Sequence, residues 1–229
     1  IMSLVHKHKV PAYFPSEVMQ EVESMSNEIS KEEIESRLDL RDHLICTIDG
    51  EDAKDLDDAI EVYKNEDDTY TLGVHIADVS HYVKEGNPID KEAFNRGTSV
   101  YMVDYVIPML PHALCNGLCS LNPFEDKLSM SCIMKINKEG EILDYTITPS
   151  IINSKKRFTY TEVNKFLKGK ISFNKELDKM LTDATLSITG GTCKPSAMTS
   201  TVMSCIAYTL STVPGTLNSC SLYTTGMAL

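Results

Sequence analysis

The stretch Thr47 to Ile60, TIDGEDAKDLDDAI, places six acids (Asp49, Glu51, Asp52, Asp55, Asp57 and Asp58) within ten residues. Close-set carboxylates stay ionised at neutral pH only when a cation offsets their repulsion or water reaches them. The flanks restrict the choice further. Leu44-Ile45-Cys46 before the acids and Ala59-Ile60-Glu61-Val62-Tyr63 after them have strand composition, so the carboxylates are expected to be held at short distance between two strands. A calcium-binding EF-hand is excluded, because it needs oxygen ligands at loop positions 1, 3 and 5 and glycine at position 6. A loop starting at Asp55 has Ala59 and Ile60 at positions 5 and 6, and one starting at Asp49 has Ala53 and Lys54 there. Two readings remain: a solvated acidic loop, or a site for Mg²⁺ or Mn²⁺ in which several carboxylates gather around phosphate oxygens.

The charge balance bears on the second reading. The chain carries a formal net charge of -11, which argues against a phosphate-rich partner. However, residues 41 to 68 hold eleven acids and three bases, so eight of the eleven excess negative charges lie in and beside the acidic stretch. The rest of the chain is nearly balanced, which is compatible with phosphate contacts without requiring them.

Taken in order, residues 1 to 12 show no capped element. Phe14-Pro15-Ser16 starts a helix with Val18, Val22 and Met25 on one face, and Lys31 to Arg37 adds another helical turn or two. His43 to Ile48 predicts a strand. Ala59 to Tyr63 and Tyr70 to Ala77 predict a hairpin across Asn65-Glu66-Asp67-Asp68, beside the acids. Pro88 to Arg96, with Pro in the first turn and Gly97 after the end, predicts a short helix. Thr98 to Val103 returns to strand character, and His112 to Leu118 is helical. Leu128 to Asn137 and Ile142 to Ile152 predict a second hairpin, and Thr159 or Thr161 caps a helix through Leu167 that Gly169 closes. Interleaved strands and short helices imply an α/β or α+β domain, a mixed sheet flanked by helices.

Composition changes after Asp183. Residues 184 to 229 contain one charged residue, Lys194, and seventeen Ser or Thr. The apolar residues there are too interrupted for a transmembrane helix, which needs roughly 20 predominantly apolar residues. The expected organisation is a leading segment over 1–40, a strand-rich body over 41–183, and an atypical Ser/Thr-rich tail over 184–229 of the kind a frameshift produces. Seven cysteines in an odd count, with no CxxC pair, read as reduced thiols in a cytoplasmic chain without a disulfide-linked partner. His112 with Cys115 and Cys119 has zinc-ligand residue types but no second ligand pair nearby.

Resemblance narrows the reading. TIDGEDAKDLDDA at 47 to 59, VHIADVSHYV at 74 to 83, NRGTSVYMVDYVIPMLP at 95 to 111, NGLCSLNP at 116 to 123 and RFTYTEV at 157 to 163 resemble, in order and spacing, the ribonuclease II and ribonuclease R family and its RNB catalytic domain. FPSEV at 14 to 18 and DLRD at 39 to 42 resemble the segment that leads into that domain. The wording is closer to ribonuclease R. The resemblance implies the N-terminal part of an RNB-type domain, acting as a processive, monomeric 3'→5' exoribonuclease that hydrolyses single-stranded RNA to 5'-mononucleotides with Mg²⁺, or Mn²⁺ in its place. Residue by residue, it implies metal-binding roles for Asp49, Asp55 and Asp58 and makes Asp57 the acid on which turnover depends most. Tyr101 matches an aromatic that stacks on the terminal base, and Tyr160 matches a substrate-contacting position. Glu51 and Asp52 match no catalytic role. A metal mechanism needs neither His75 nor His81 as a base, so both are expected to serve packing or the surface.

The resemblance also sets a limit. It covers about residues 8 to 180, and the family's later motif with its phosphate-stabilising arginine has no counterpart, since no arginine follows Asp183. The alternative expectation is a catalytically inactive, metal- and RNA-binding fragment of such an enzyme.

Overall fold

In the computed structural model, residues 2–103 and 105–189 are described. The centre of the fold is a strand whose two faces are both covered. In β4 (Tyr70–Ala77), alternation sends Tyr70, Leu72 and Val74 to one face and Gly73, His75 and Ala77 to the other, and all six of these positions are buried. On one side β4 pairs antiparallel with β3 (Asp58–Lys64), and on the other with β7 (Asp126–Ile136). The ladder continues antiparallel from β3 to β2 (Cys46–Asp49) and from β7 to β8 (Ile142–Asn153). Each outer position is then filled by a short parallel strand: β1 (Leu38–Leu40) on β8, and β9 (Lys156–Thr159) on β2. The seven-stranded order is β1-β8-β7-β4-β3-β2-β9, and β5 (Val100–Tyr101) and β6 (Val106–Ile107) form a separate two-stranded ribbon. This is the mixed, helix-flanked sheet expected from the sequence.

One face carries Cys46, Ile60, Val62, Leu72, Val74, Cys132 and Met134. It packs on Val163 of α6 (Tyr160–Leu167) and on Leu177, Met180 and Leu181 of α7 (Lys175–Thr189). The opposite face, near the acidic stretch, buries Ile45, Ala59, Ala77 and Ile152 against Val18 and Val22 of α2 (Ser16–Ser24), Val79 of α4 (Val79–Tyr82), and Ile89 and Ala93 of α5 (Pro88–Arg96). A π-helical turn, Leu114–Leu118, completes that layer. Farther along the same face the sheet is polar. Nδ1 of buried His75 lies 2.6 Å from Ser131 Oγ, and Glu61 lies between His43, at 2.8 Å, and the other nitrogen of His75, at 3.8 Å. His75 therefore packs inside the sheet, whereas His81, on α4, is partly exposed.

Local chemistry explains most of the element ends. Asn87 accepts a bond from the Asp90 amide, Pro88 opens α5, and Gly97 closes it at φ 72°, a left-handed conformation that favours glycine. Thr159, rather than Thr161, caps α6 in a reciprocal box with Glu162. α3 (Lys31–Ser36) starts at Ser30. Several elements depart from the sequence reading. Residues 2–7 form α1 (Met2–Lys7). Strand structure within Thr98 to Val103 shrinks to the two residues of β5. β1 and β9 had no strand signal, and α7 crosses position 183 to reach Thr189. The expected tail from 184 lies, beyond Thr189, outside the described residues. Cys46, Cys115, Cys119 and Cys132 are buried free thiols. No helix among the described residues is long and apolar enough to cross a membrane.

Candidate active site

Asp49 is the last residue of β2 and Asp58 the first of β3, so two acids sit at the facing ends of adjacent antiparallel strands. Asp55 and Asp57 lie in the connection between them. The residue separating those two, Leu56, is 2% exposed and points into the helix-covered core. A buried leucine between two aspartates turns both carboxylates to the outer side of the loop. The loop is further held by the 116–123 segment: Ser120 Oγ accepts the Leu56 amide at 3.0 Å and donates to the Lys54 carbonyl at 3.1 Å. The Leu121 amide donates to the Leu56 carbonyl at 2.8 Å, and the Ala77 amide to that of Asp57 at 2.9 Å. Glu51 and Asp52 are exposed and stand apart from these contacts.

The cluster is electrostatically coupled. Burial raises Asp57 to about 8, with the charges of Asp55, Asp58 and Asp49 adding to the shift. Burial, then the charge of Asp58, raises Asp49 to about 7 against the opposing pull of Arg157, and burial raises Asp58 to about 6. Carboxyl groups held this high are short of positive charge. The buried Asp49 Oδ2 has no hydrogen-bond partner. Among the described residues no three His, Cys, Asp or Glu side chains are closed into a ready ligand cage. The donor set nevertheless fits a hard divalent cation, which prefers carboxylate oxygens and often keeps several waters. A hard cation would also relieve the repulsion that the raised pKa values record.

Two tyrosines border the acids from different elements. Tyr101, on the β5-β6 ribbon, has its hydroxyl pushed up by partial burial and then by the charges of Asp55 and Asp57. Tyr160, the first residue of α6, is raised by burial and then by Asp49 and Asp58. Both rings remain partly exposed. The structure thus brings all six sequence-selected residues (Asp49, Asp55, Asp57, Asp58, Tyr101 and Tyr160) to one end of the sheet. Sequence reasoning overlooked two residues that shape this site, Ser120 and Arg157. Ser120 has no charged or aromatic group to mark it for chemistry, and Arg157 is brought to the acids only by the pairing of β9 with β2.

The RNB domain pattern matches residues 37–196, well over half of the chain. The chain belongs to the RNB family. Among curated RNB relatives, it is 54% identical over 167 residues to Ribonuclease R of Thermotoga maritima, a match covering 72% of this chain and 24% of that protein. It is 48% identical over 169 residues to Ribonuclease R 1 of Lactococcus lactis, covering 74% of this chain and 21% of that protein. Among solved RNB structures, it superposes on Mycoplasma genitalium RNase R in complex with double-stranded RNA with a TM-score of 0.77 and 34% identity, over 82% of this chain and 34% of that one. The chain therefore spans about a quarter of the length of the curated relatives it matches.

Proposed function

We propose that this chain supplies the metal-binding acid cluster of an exoribonuclease that removes 5'-mononucleotides from the 3' end of single-stranded RNA, with Mg²⁺ or Mn²⁺. The observation that carries the proposal is the convergence of Asp49, Asp55, Asp57 and Asp58, coupled through space and bordered by two partly exposed tyrosines, in a chain of the RNB family. Asp49, Asp55 and Asp58 are the residues to hold the ion. When bound, a divalent cation polarises a phosphate oxygen and lowers the pKa of an attacking water. The chain's own residues do the rest. Leu56 and Ser120 fix the loop so that Asp57 faces the reacting phosphate, and Tyr101 offers a ring for the terminal base. Stacking contributes roughly 1 to 3 kcal/mol per base and tolerates any base, which suits a nuclease without sequence preference. Tyr160 contacts the substrate from the Asp49 side.

A second reading, a metal- and RNA-binding unit inactive by itself, is favoured by the quarter-length match to the relatives. Both readings are tested with 3'-labelled single-stranded RNA and Mg²⁺. The assay compares this 229-residue chain with a longer protein that joins it to the remaining length of a relative. Mononucleotide release by the longer protein alone supports the proposal and assigns the second reading to the isolated chain. Asp57→Asn in the longer protein is expected to abolish hydrolysis while RNA binding persists; undiminished turnover would refute the site.

A further inference from the structure

Arg157 belongs to a strand that the sequence did not announce, and that strand sets it against the acids. β9 runs parallel to β2 with Arg157 opposite Thr47 and Thr159 opposite Asp49. From there Arg157 Nη2 donates to the Gly50 carbonyl at 2.9 Å and to the Glu51 carbonyl at 3.0 Å, the first two residues after Asp49. The Gly50 carbonyl also receives the Ala53 amide at 3.2 Å, so the guanidinium grips the carbonyl that closes the turn. The other end of the same connection is held by Ser120, whose hydroxyl bonds the backbone on either side of Asp55. The segment between Asp49 and Asp55 is therefore tied at both ends, and Arg157 is the side chain that ties the Asp49 end. Its Nε is buried and, like Asp49 Oδ2, has no hydrogen-bond partner. Buried polar groups are seldom left unpaired, and orphaned ones call for an explanation such as an absent ion or a functional role.

We propose that Arg157 is a positioning residue, which fixes the turn after Asp49 so that this carboxylate is presented with Asp55 and Asp58 to one divalent cation. The proposal rests on the metal-binding reading of the cluster. It makes a prediction whose sign separates it from the simplest alternative. A guanidinium beside carboxylates repels an incoming cation, so a bystander arginine, once removed, leaves a site that binds metal more tightly. A positioning arginine, once removed, leaves a site that binds metal less tightly despite the more favourable charge.

The test measures Mn²⁺ binding to the whole chain by the paramagnetic resonance signal of free Mn²⁺, together with amide hydrogen exchange across residues 50 to 56 without metal. Arg157→Met is expected to weaken Mn²⁺ binding about tenfold or more, the size typical when a group orienting a metal ligand is lost. It should also speed exchange at the Ala53 amide while exchange in β4 stays unchanged, showing an intact sheet. Arg157→Lys keeps the charge and a donor and should recover much of both effects. Equal or tighter Mn²⁺ binding by Arg157→Met, or unaltered exchange in the turn, overturns the proposal. If the native chain takes up no Mn²⁺, or Asp55→Asn and Asp49→Asn bind it equally well, the metal-binding reading fails, and the exchange data alone decide whether Arg157 orders the turn.

Discussion

Two single residues hold the site's surroundings in place by opposite means, one by filling space and one by leaving it open. Leu56, which separates Asp55 from Asp57 in the chain, fills a place in the helix-covered core. Leu56→Ala removes a side chain that is 2% exposed, and burial of that extent predicts a loss of about 2 to 5 kcal/mol in urea unfolding. A loss below about 1 kcal/mol would mean that Leu56 does not anchor the loop. Gly73 works the other way. Its neighbours on the sheet face are Glu61 and His75, and a Cβ built there would lie 2.6 Å from Glu61 Cγ and 3.0 Å from His75 Nε2. Replacing a strand glycine with alanine ordinarily gains roughly 0.5 to 1 kcal/mol. Here the overlap reverses the sign, and Gly73→Ala is expected to cost about 1 to 3 kcal/mol. In a Glu61→Ala background the same change should cost much less. Additive costs in that double-mutant cycle would show that Glu61 is not what excludes the methyl group.

At the level of elements, the parts that could be read in the sequence are those whose cause is local. β4 and β7 show their alternation, and α5 carries Asn87, Pro88 and Gly97 at its ends, so both strands and the helix stand where the residues put them. β9 could not be read that way. Lys156 to Thr159 is a short, half-charged run that becomes a strand only because β2, more than a hundred residues earlier, offers a free edge. The same non-local pairing hid Arg157, although the four aspartates and two tyrosines were picked out by resemblance. Strand β9 leads directly into α6, whose first residue is Tyr160, so the cap at Thr159 sets where that ring stands. Thr159→Ala is expected to lower stability by about 1 kcal/mol, and Thr159→Ser to leave it nearly unchanged. Equal losses in both variants, measured as denaturation midpoints, would show that the hydroxyl is not the stabilising group.

For the whole molecule, the concentration of the net charge of -11 around the acids links stability to pH and to divalent ions. Asp49, Asp57 and Asp58 have folded pKa values of about 7, 8 and 6, all above the ordinary 3.8 for the side chain, with burial as the leading cause. When a folded pKa is raised, the folded state binds more protons than the unfolded one. The contribution to stability is then full at low pH and is lost as pH rises through the folded pKa. His75 acts in the opposite sense: burial lowers it to about 3, so the unfolded chain takes up a proton below about pH 6.5 that the folded chain refuses, and stability falls with further acidification. Below the ordinary histidine pKa, the one proton refused by His75 offsets only part of the gain from the carboxylates. Without divalent ions, the chain is expected to have a higher urea midpoint at about pH 6.5 than at about pH 8. Saturating Mg²⁺ or Mn²⁺ should raise the midpoint most at pH 8 and flatten the difference, because a cation among ionised carboxylates removes the reason for holding protons there. Asp57→Asn takes away the most strongly shifted group and should both flatten the metal-free profile and reduce the response to the ion. A metal-free midpoint that is equal or higher at pH 8 would show that burial and the neighbouring charges do not hold Asp49, Asp57 and Asp58 above the ordinary carboxylate range.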